Sequence, residues 1–333
     1  MIDVKRYLQR YLDRSSPLYA STLSLAACVV LAVGSLLIGL VERSLLIQTN
    51  GLLALIDIGN SILFLAAVDR SSRSADLTFN YGYGKYESLA VLVSANLLIA
   101  TTIMTLINSV SLFEHPPEAS NTLLLGGWSV VSFFIMRTTA RRLVRYAGRF
   151  HQPMLEYDAA LWKVDSLVEL AVIAGVLVNG VAQLAGLYQA AVVIDGALSI
   201  GLVLFILKTP LQHGKEAFRQ LLDRTLPDTM QYDVLAVIAQ NTDRMCEFTS
   251  VHTRRSGRDI FIEVDLIMPY DYTLEQLYVL EEDMIEGLRN RFPTAVPRVY
   301  VQPCDRSCAL ATGTTCPVKK QRQNGADPIN PGS

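Results

Sequence analysis

The sequence predicts an α-helical membrane protein: six transmembrane helices followed by a small soluble α+β domain. Three observations carry this fold class. The chain of 333 residues is 51% hydrophobic with a mean hydropathy of +0.31, and soluble chains of this size rarely have positive mean hydropathy. Six apolar stretches each approach the ~20 residues that a helix needs to cross the hydrocarbon. After about residue 212 the apolar runs shorten and charge becomes dense. The formal net charge of −2 offers no basic surface for nucleic acid.

The stretches run over approximately 18–41, 46–69, 87–113, 121–140, 158–182 and 188–208. Their connections set the orientation. Lys5, Arg6, Arg10 and Arg14 precede the first span. Arg70, Arg73 and Lys85 lie between the second and third. Arg137, Arg141, Arg142, Arg145 and Arg149 lie between the fourth and fifth, and Lys208, Lys215 and Arg219 follow the sixth. The other three connections hold only Arg43. Positive charge stays on the cytoplasmic side, so both termini are expected there. The first fifteen residues are polar and charged, and the first apolar run is too long for a signal-peptide core, so no cleavable leader is expected.

The second span, "LLALIDIGNSILFLAAVDR", holds a carboxylate where burial is costly: about 2.5–3.5 kcal/mol at mid-membrane. On a helix Asn50, Asp57, Asn60 and Ser61 form one polar stripe, with Leu55, Ile62 and Leu63 on the other side. The fifth span, "DAALWKVDSLVELAVIAG", repeats the pattern with Asp165 and Glu169 one turn apart, while Lys163 points elsewhere. If the two stripes face each other, the carboxylates converge. Crowded acids in low dielectric require protons or a cation between them. The bland alternative is structural: Asp57 tying two helices by hydrogen bonds, and Asp165 and Glu169 pairing with loop arginines near the interface.

The soluble part reads as αββαβ. Residues 229–241 have a helical period. "FTSVHTRR" and "DIFIEVDLIM" read as strands around a turn at Ser256-Gly257. In the second strand Ile260, Ile262, Val264 and Leu266 alternate with Phe261, Glu263 and Asp265. Thr273 and Gln276 form a capping box for a helix to Arg291, and "RVYVQP" reads as a last strand. Disulfides among Cys28, Cys246, Cys304, Cys308 and Cys316 are not expected on the cytoplasmic side. The spacing of Cys304, Cys308 and Cys316 fits no standard zinc pattern, and the tail after 305 has a disordered composition.

Taken in order, "RSLLIQTNGLLALID", "ADLTFNYGYGKYESLAVL", "VDSLVE", "IDGALSIGL" and "LLDRTLPD" resemble the cation diffusion facilitator family over about residues 17 to 305. The resemblance implies a six-helix transmembrane domain at 1–212, a cytoplasmic ferredoxin-like domain at 213–305 and a tail at 306–333. It also implies a homodimer. The family places paired metal ligands on the second and fifth spans. Asp57 and Asp165 match one member of each pair, whereas Leu53 and Leu161 stand at the other. In the loop, Phe79 and Tyr83 replace family histidines and Asp76 remains. In the soluble domain those positions hold Thr249, Tyr278 and Tyr300. With only four histidines, His115, His151, His213 and His252, no histidine-rich loop exists. Lys85 and Asp223 match a pair that locks the 2–3 loop to the membrane–cytoplasm junction in the family.

An oxygen-only donor set, Asp57, Asp165, Glu169 and Asn60 with Ser61 nearby, suits harder cations such as manganese, magnesium or ferrous iron. Glu169 would compensate for Leu161 by shifting the site one turn. The functional expectation is proton-coupled export of a divalent cation from the cytoplasm across a bacterial inner membrane. Alternatives are a transport-deficient relative that acts by binding a partner, and a transporter of a non-metal cation. No phosphate loop, nucleophile elbow or metalloprotease helix is present, so neither an enzyme nor an ATP-driven pump is expected, and no cofactor beyond the transported ion.

Overall fold

The computed structural model describes residues 11–41, 45–114, 122–184, 188–269 and 272–305. Two compact units divide the chain, Met1–Leu221 and Leu222–Ser333. The side chains of Asn50 and Leu53, His115, Cys308, Cys316 and the rest of the tail lie outside the described residues.

Among the described residues the first unit contains six long helices: α1 Pro17–Val41, α2 Leu45–Ser71, α3 Lys85–Glu114, α4 Thr122–Phe150, α5 Pro153–Leu184 and α6 Tyr188–Leu221. The most extensive packing joins α1 to α2, α4 to α5 and α3 to α6, and α2, α5 and α1 also meet one another. The last helix does not end at 212. It continues through Pro210 to Leu221, because the polar residues after 208 are helix formers and change only which face is wetted. The fourth helix likewise runs past 140, as its arginines extend the helix beyond the apolar stretch.

Large apolar side chains remain exposed all around this unit. Val30 and Leu37 on α1, Leu55 and Ile62 on α2, Leu97 and Ile107 on α3, Phe134 on α4 and Leu177 on α5 are examples. A water-soluble bundle would bury such faces. Among the described residues two helices are long and apolar enough by themselves to cross a membrane, Pro17–Ile38 and Lys85–Met104.

One end of the bundle is tied by polar contacts. Pro153 opens α5, where its fixed φ and missing N–H cost nothing. Glu87, in the first turn of α3, accepts from the Met154 N–H and from Gln152 Nε2, both at 3.2 Å, and Gln152 Nε2 also donates to Ser71 Oγ at 3.2 Å. The start of α5 is thereby pinned to the end of α2 and the start of α3. Ser88 Oγ donates to Gln220 Oε1 at 2.9 Å, which adds the end of α6.

The second unit has the element order α7 Asp228–Ala239, β1 Glu247–Ser256, β2 Asp259–Met268, α8 Leu274–Arg291 and β3 Ala295–Pro303. This is the αββαβ order read from the sequence. The sheet runs β1-β2-β3, with β1 antiparallel and β3 parallel to β2. Ile260, Ile262, Val264, Leu266 and Met268 point from the central strand into a core with Leu280, Met284 and Leu288 of α8 and Val234 and Ile238 of α7. Phe261 faces the other way and is covered by the Arg254 guanidinium, 4.9 Å from its ring centre. The capping box is formed: Thr273 Oγ1 accepts from the Gln276 N–H at 3.3 Å, and the Thr273 N–H donates to Gln276 Oε1 at 2.9 Å. The last strand starts at Ala295, before Arg298, with Pro297 inside it. An edge strand accommodates a proline whose missing N–H would face outward.

Candidate cation site

Three helices of the first unit turn one face each toward a cavity of about 300 Å³. From α1 come Cys28, Leu31, Ala32 and Ser35; from α2, Asp57, Asn60, Ser61 and Phe64. Both sets have the i, i+3, i+4, i+7 spacing of a single helical face. From α5 come Asp158, Leu161, Trp162, Asp165, Val168 and Glu169, with Leu98 of α3 and Met136 of α4 closing the wall.

The cavity brings together all four residues that the sequence singles out, Asp57, Asn60, Asp165 and Glu169. Asp57 and Asp165 are open to it, Glu169 is half-buried, and Asn60 is buried. Leu55 and Ile62 lie on the far side of α2 and are exposed, as the stripe requires, and Lys163 is exposed and absent from the lining. Leu161 faces the cavity as well.

Helix geometry spreads these groups out. At 1.5 Å per residue, Asp165 and Glu169 are roughly 6 Å apart along the axis of α5. Among the described residues no group of three or more His, Cys, Asp or Glu side chains is arranged to hold a metal ion. The arrangement is a file of oxygen groups along a cavity rather than one closed coordination shell.

Sequence reasoning missed Asp158. Its position seven residues before Asp165 puts it on the same face of α5, and extending the stripe backwards by two turns finds it. Ser24 and the Trp162 indole stand within hydrogen-bonding reach of its carboxyl, and Trp162 Nε1 donates to Ser24 Oγ at 2.8 Å. At the opposite end of the cavity Trp128 Nε1 donates to Ser35 Oγ at 3.2 Å.

Asp76, which remains at a family ligand position, has other work. Its Oδ1 accepts from the N–H groups of Thr78 and Phe79, both at 2.8 Å, and its Oδ2 accepts from the Tyr83 phenol at 2.6 Å. The Tyr83 hydrogen bond, with the Phe79 amide next, holds the Asp76 carboxyl below its usual range, and Asp76 in turn pushes the Tyr83 hydroxyl up. Asp76 therefore organises the turn after α2. Thr249, Tyr278 and Tyr300 are exposed in the second unit.

The two residues of the expected interlock lie in separate units. Lys85 Nζ donates to the Leu221 carbonyl at 3.4 Å within the first. Asp223 accepts from Arg254 Nη1 at 3.2 Å within the second. Cys28, Cys246 and Cys304 form no disulfide.

Comparison with known families decides what this architecture is. Residues 21–222 match the cation efflux transmembrane domain, and residues 226–304 match the cation efflux protein cytoplasmic domain. The chain belongs to the cation diffusion facilitator family. It is similar to the cation-efflux pump FieF of Yersinia pestis (strain Pestoides F) and to that of Yersinia pseudotuberculosis serotype O:3 (strain YPIII). Each is 26% identical over 254 residues, covering 75% of this chain and 81% of the relative. As a family member the chain is an integral membrane cation exporter with a dimerisation-type cytoplasmic domain. The carboxylate cavity lies wholly within the segment that matches the transmembrane domain.

Proposed function

We propose that the chain exports a hard divalent cation (manganese, magnesium or ferrous iron) from the cytoplasm in exchange for protons, through the cavity bounded by Asp57, Asn60, Asp165 and Glu169. One observation carries the reading: carboxylates from α2 and α5 line a common cavity inside a helical unit whose outer surface is apolar. Carboxylates crowded in low dielectric repel one another, and either protons or a cation relieve the repulsion. Exchange of one for the other is antiport. Oxygen donors without imidazole favour hard cations over zinc.

In this reading all six helices cross the bacterial inner membrane, with both termini cytoplasmic as the loop arginines and lysines dictate. A cation entering from the cytoplasm displaces protons from the acids. The helices then rock, the cation leaves on the far side, and returning protons reset the site. The driving force is the proton gradient, and the protein is neither an enzyme nor dependent on a bound cofactor.

A second reading has support of its own. Leu161 on the cavity wall and the lack, among the described residues, of three converging ligands fit a relative that has lost transport and binds a partner. Flux into proteoliposomes separates the two. Metal uptake that drives protons the other way, tested over Mn²⁺, Mg²⁺, Fe²⁺ and Zn²⁺, is expected for the exporter. Glu169→Ala is expected to lose most of that flux. A wild-type protein that dimerises but moves no cation would overturn the exporter reading, and unchanged flux in Glu169→Ala would remove Glu169 from the site.

A further inference from the structure

Asp158 of α5 lies on the cavity wall and is 3% exposed. One side of its carboxyl meets donors. Ser24 of α1 and the Trp162 indole stand within hydrogen-bonding reach. Trp162 Nε1 also donates to Ser24 Oγ at 2.8 Å, which leaves the Ser24 hydroxyl hydrogen for the carboxyl. The other oxygen, Asp158 Oδ2, finds no hydrogen-bond partner among the described residues. Asn60 Oδ1 is likewise bare but belongs to the cation site already described. Buried polar atoms are nearly always paired, because an unpaired one forfeits its solvation. What satisfies Asp158 Oδ2 is therefore a proton, a water or a cation.

The surroundings favour the proton. A cation needs converging lone pairs, whereas Trp162 is a donor only and Ser24 accepts from it, so both turn hydrogen toward Asp158. Asp165 lies roughly 10 Å away along α5, far beyond the ~2–2.6 Å of an oxygen–cation bond. Among the described residues no lysine, arginine or histidine lines the cavity. An ionised Asp158 thus has no fixed counter-charge, and the resting acid keeps its proton. Once the proton has gone, the same two donors steady the anion. The titratable groups that share its surroundings are Cys28 of α1, Asp57 of α2, and Tyr157, Asp165 and Glu169 of α5. Among the described residues α3 and α4 contribute only Leu98 and Met136 to the cavity wall.

We propose that Asp158 carries an exchanged proton: it loses that proton when a cation occupies the site of Asp57 and Asp165, and it does not itself touch the cation. The inference rests on the export cycle proposed above. In the step the Asp158 O–H bond breaks, its electron pair stays on the carboxylate, and the proton passes to water. The cavity of about 300 Å³ has room for that water. The cation supplies the compensating charge: across roughly 10 Å of low dielectric its double positive charge repels the proton and steadies the carboxylate. Coupling therefore needs no contact between the two. Asp158 lies toward Pro153, the end where Gln152 bonds Ser71 of α2. In the orientation proposed above that end is cytoplasmic, so the proton is discharged on the side from which the cation comes. When the cation leaves on the far side, a proton returns through the cavity water and closes the cycle.

The test counts Mn²⁺ bound to the purified full-length protein by electron paramagnetic resonance. A pH dye in weak buffer counts the protons released on binding, and proteoliposomes report Mn²⁺ flux. Asp158→Asn, nearly isosteric with the neutral acid, is expected to bind as many Mn²⁺ ions as wild type at saturation. It should release about one proton fewer per ion, so that the slope of log affinity against pH falls by about one. Asp165→Asn is expected to lose the ion itself. Ser24→Ala, which removes a donor to the anion, should move the half-maximal pH of flux upward by about one unit. Asp158→Asn that releases as many protons as wild type would overturn the role. Asp158→Asn that no longer binds Mn²⁺ at saturation would make Asp158 a ligand and overturn it too. If that variant does not fold, Ser24→Ala decides: an unmoved half-maximal pH takes the proton away from Asp158. Wild type that neither binds nor moves Mn²⁺ overturns the export of this cation and the inference together, an outcome distinct from a failure of Asp158→Asn alone.

Discussion

Gly34 on α1 has no room for a side chain. A Cβ added there would stand 2.0, 2.5 and 2.9 Å from Cη2, Cζ2 and Cζ3 of Trp128 on α4. Ordinary carbon–carbon contact is about 3.5–4.0 Å, so α1 and the indole must separate by about 1.5 Å. The indole is a rigid plate, and its Nε1 is held by Ser35 Oγ, so moving it also breaks that bond. Overpacking of this kind costs about 1–3 kcal/mol. Alanine regains about 0.5–1 kcal/mol of helix propensity over glycine, so Gly34→Ala should destabilise the helical unit by a net of up to about 2.5 kcal/mol, centred on about 1 kcal/mol. Because Ser35 lines the cavity, the displacement also reaches the end where Glu169 sits. Thermal unfolding of the detergent-solubilised protein measures the first effect. Fluorescence measures the second: the chain has 2 tryptophans, so a Trp162→Phe background reports Trp128 alone, and its emission should shift when Gly34→Ala is added. Removing the plate should rescue the variant, with Gly34→Ala/Trp128→Ala losing less relative to Trp128→Ala than Gly34→Ala loses relative to wild type. A Gly34→Ala protein as stable as wild type with unshifted Trp128 emission would show that the close α1–α4 approach is not what holds this corner.

Two further outcomes are expected outside the cavity. Thr273→Ala removes half of the α8 capping box and should cost the cytoplasmic unit about 0.5–2 kcal/mol in chemical denaturation, whereas Thr273→Ser should keep most of it; equal losses would mean that the hydroxyl does not cap. Since Asp76 is held below 3.8 in the folded loop, its contribution is present above the unfolded value and is lost as pH falls through the folded one. Tyr83→Phe should therefore raise the Asp76 titration, and the wild-type-minus-variant ultraviolet difference should show a phenol ionising above 10. A Tyr83 that titrates at 10 or below would break the assigned hydrogen bond.

The cytoplasmic domain was largely legible in advance because its signals are local. A capping box spans four residues, and a half-buried strand declares itself by alternation along its own length. The start of β3 was not legible, since Pro297 argues against a strand until its edge position is known. Helix ends were not legible for a related reason: hydropathy bounds the apolar stretches, whereas α4 and α6 continue beyond them as polar helix. The acidic stripes on α2 and α5 could be read because a 3.6-residue period is a property of one chain segment. Asp158 escaped because it stands where the apolar stretch begins, and only the packed α1 face, with Ser24 beside it, shows it to be inside.

By itself the sequence determined which faces of which helices are acidic, the order of elements in both units and the family to which they belong. Tertiary packing alone decided that the α1, α2 and α5 faces share one cavity, that Asp76 is consumed by its own turn, and that Asn60 and Asp158 keep bare oxygens inside. The reason is physical. Periodicity and capping depend on neighbours a few residues away, whereas the fate of a buried oxygen depends on what another helix brings to it.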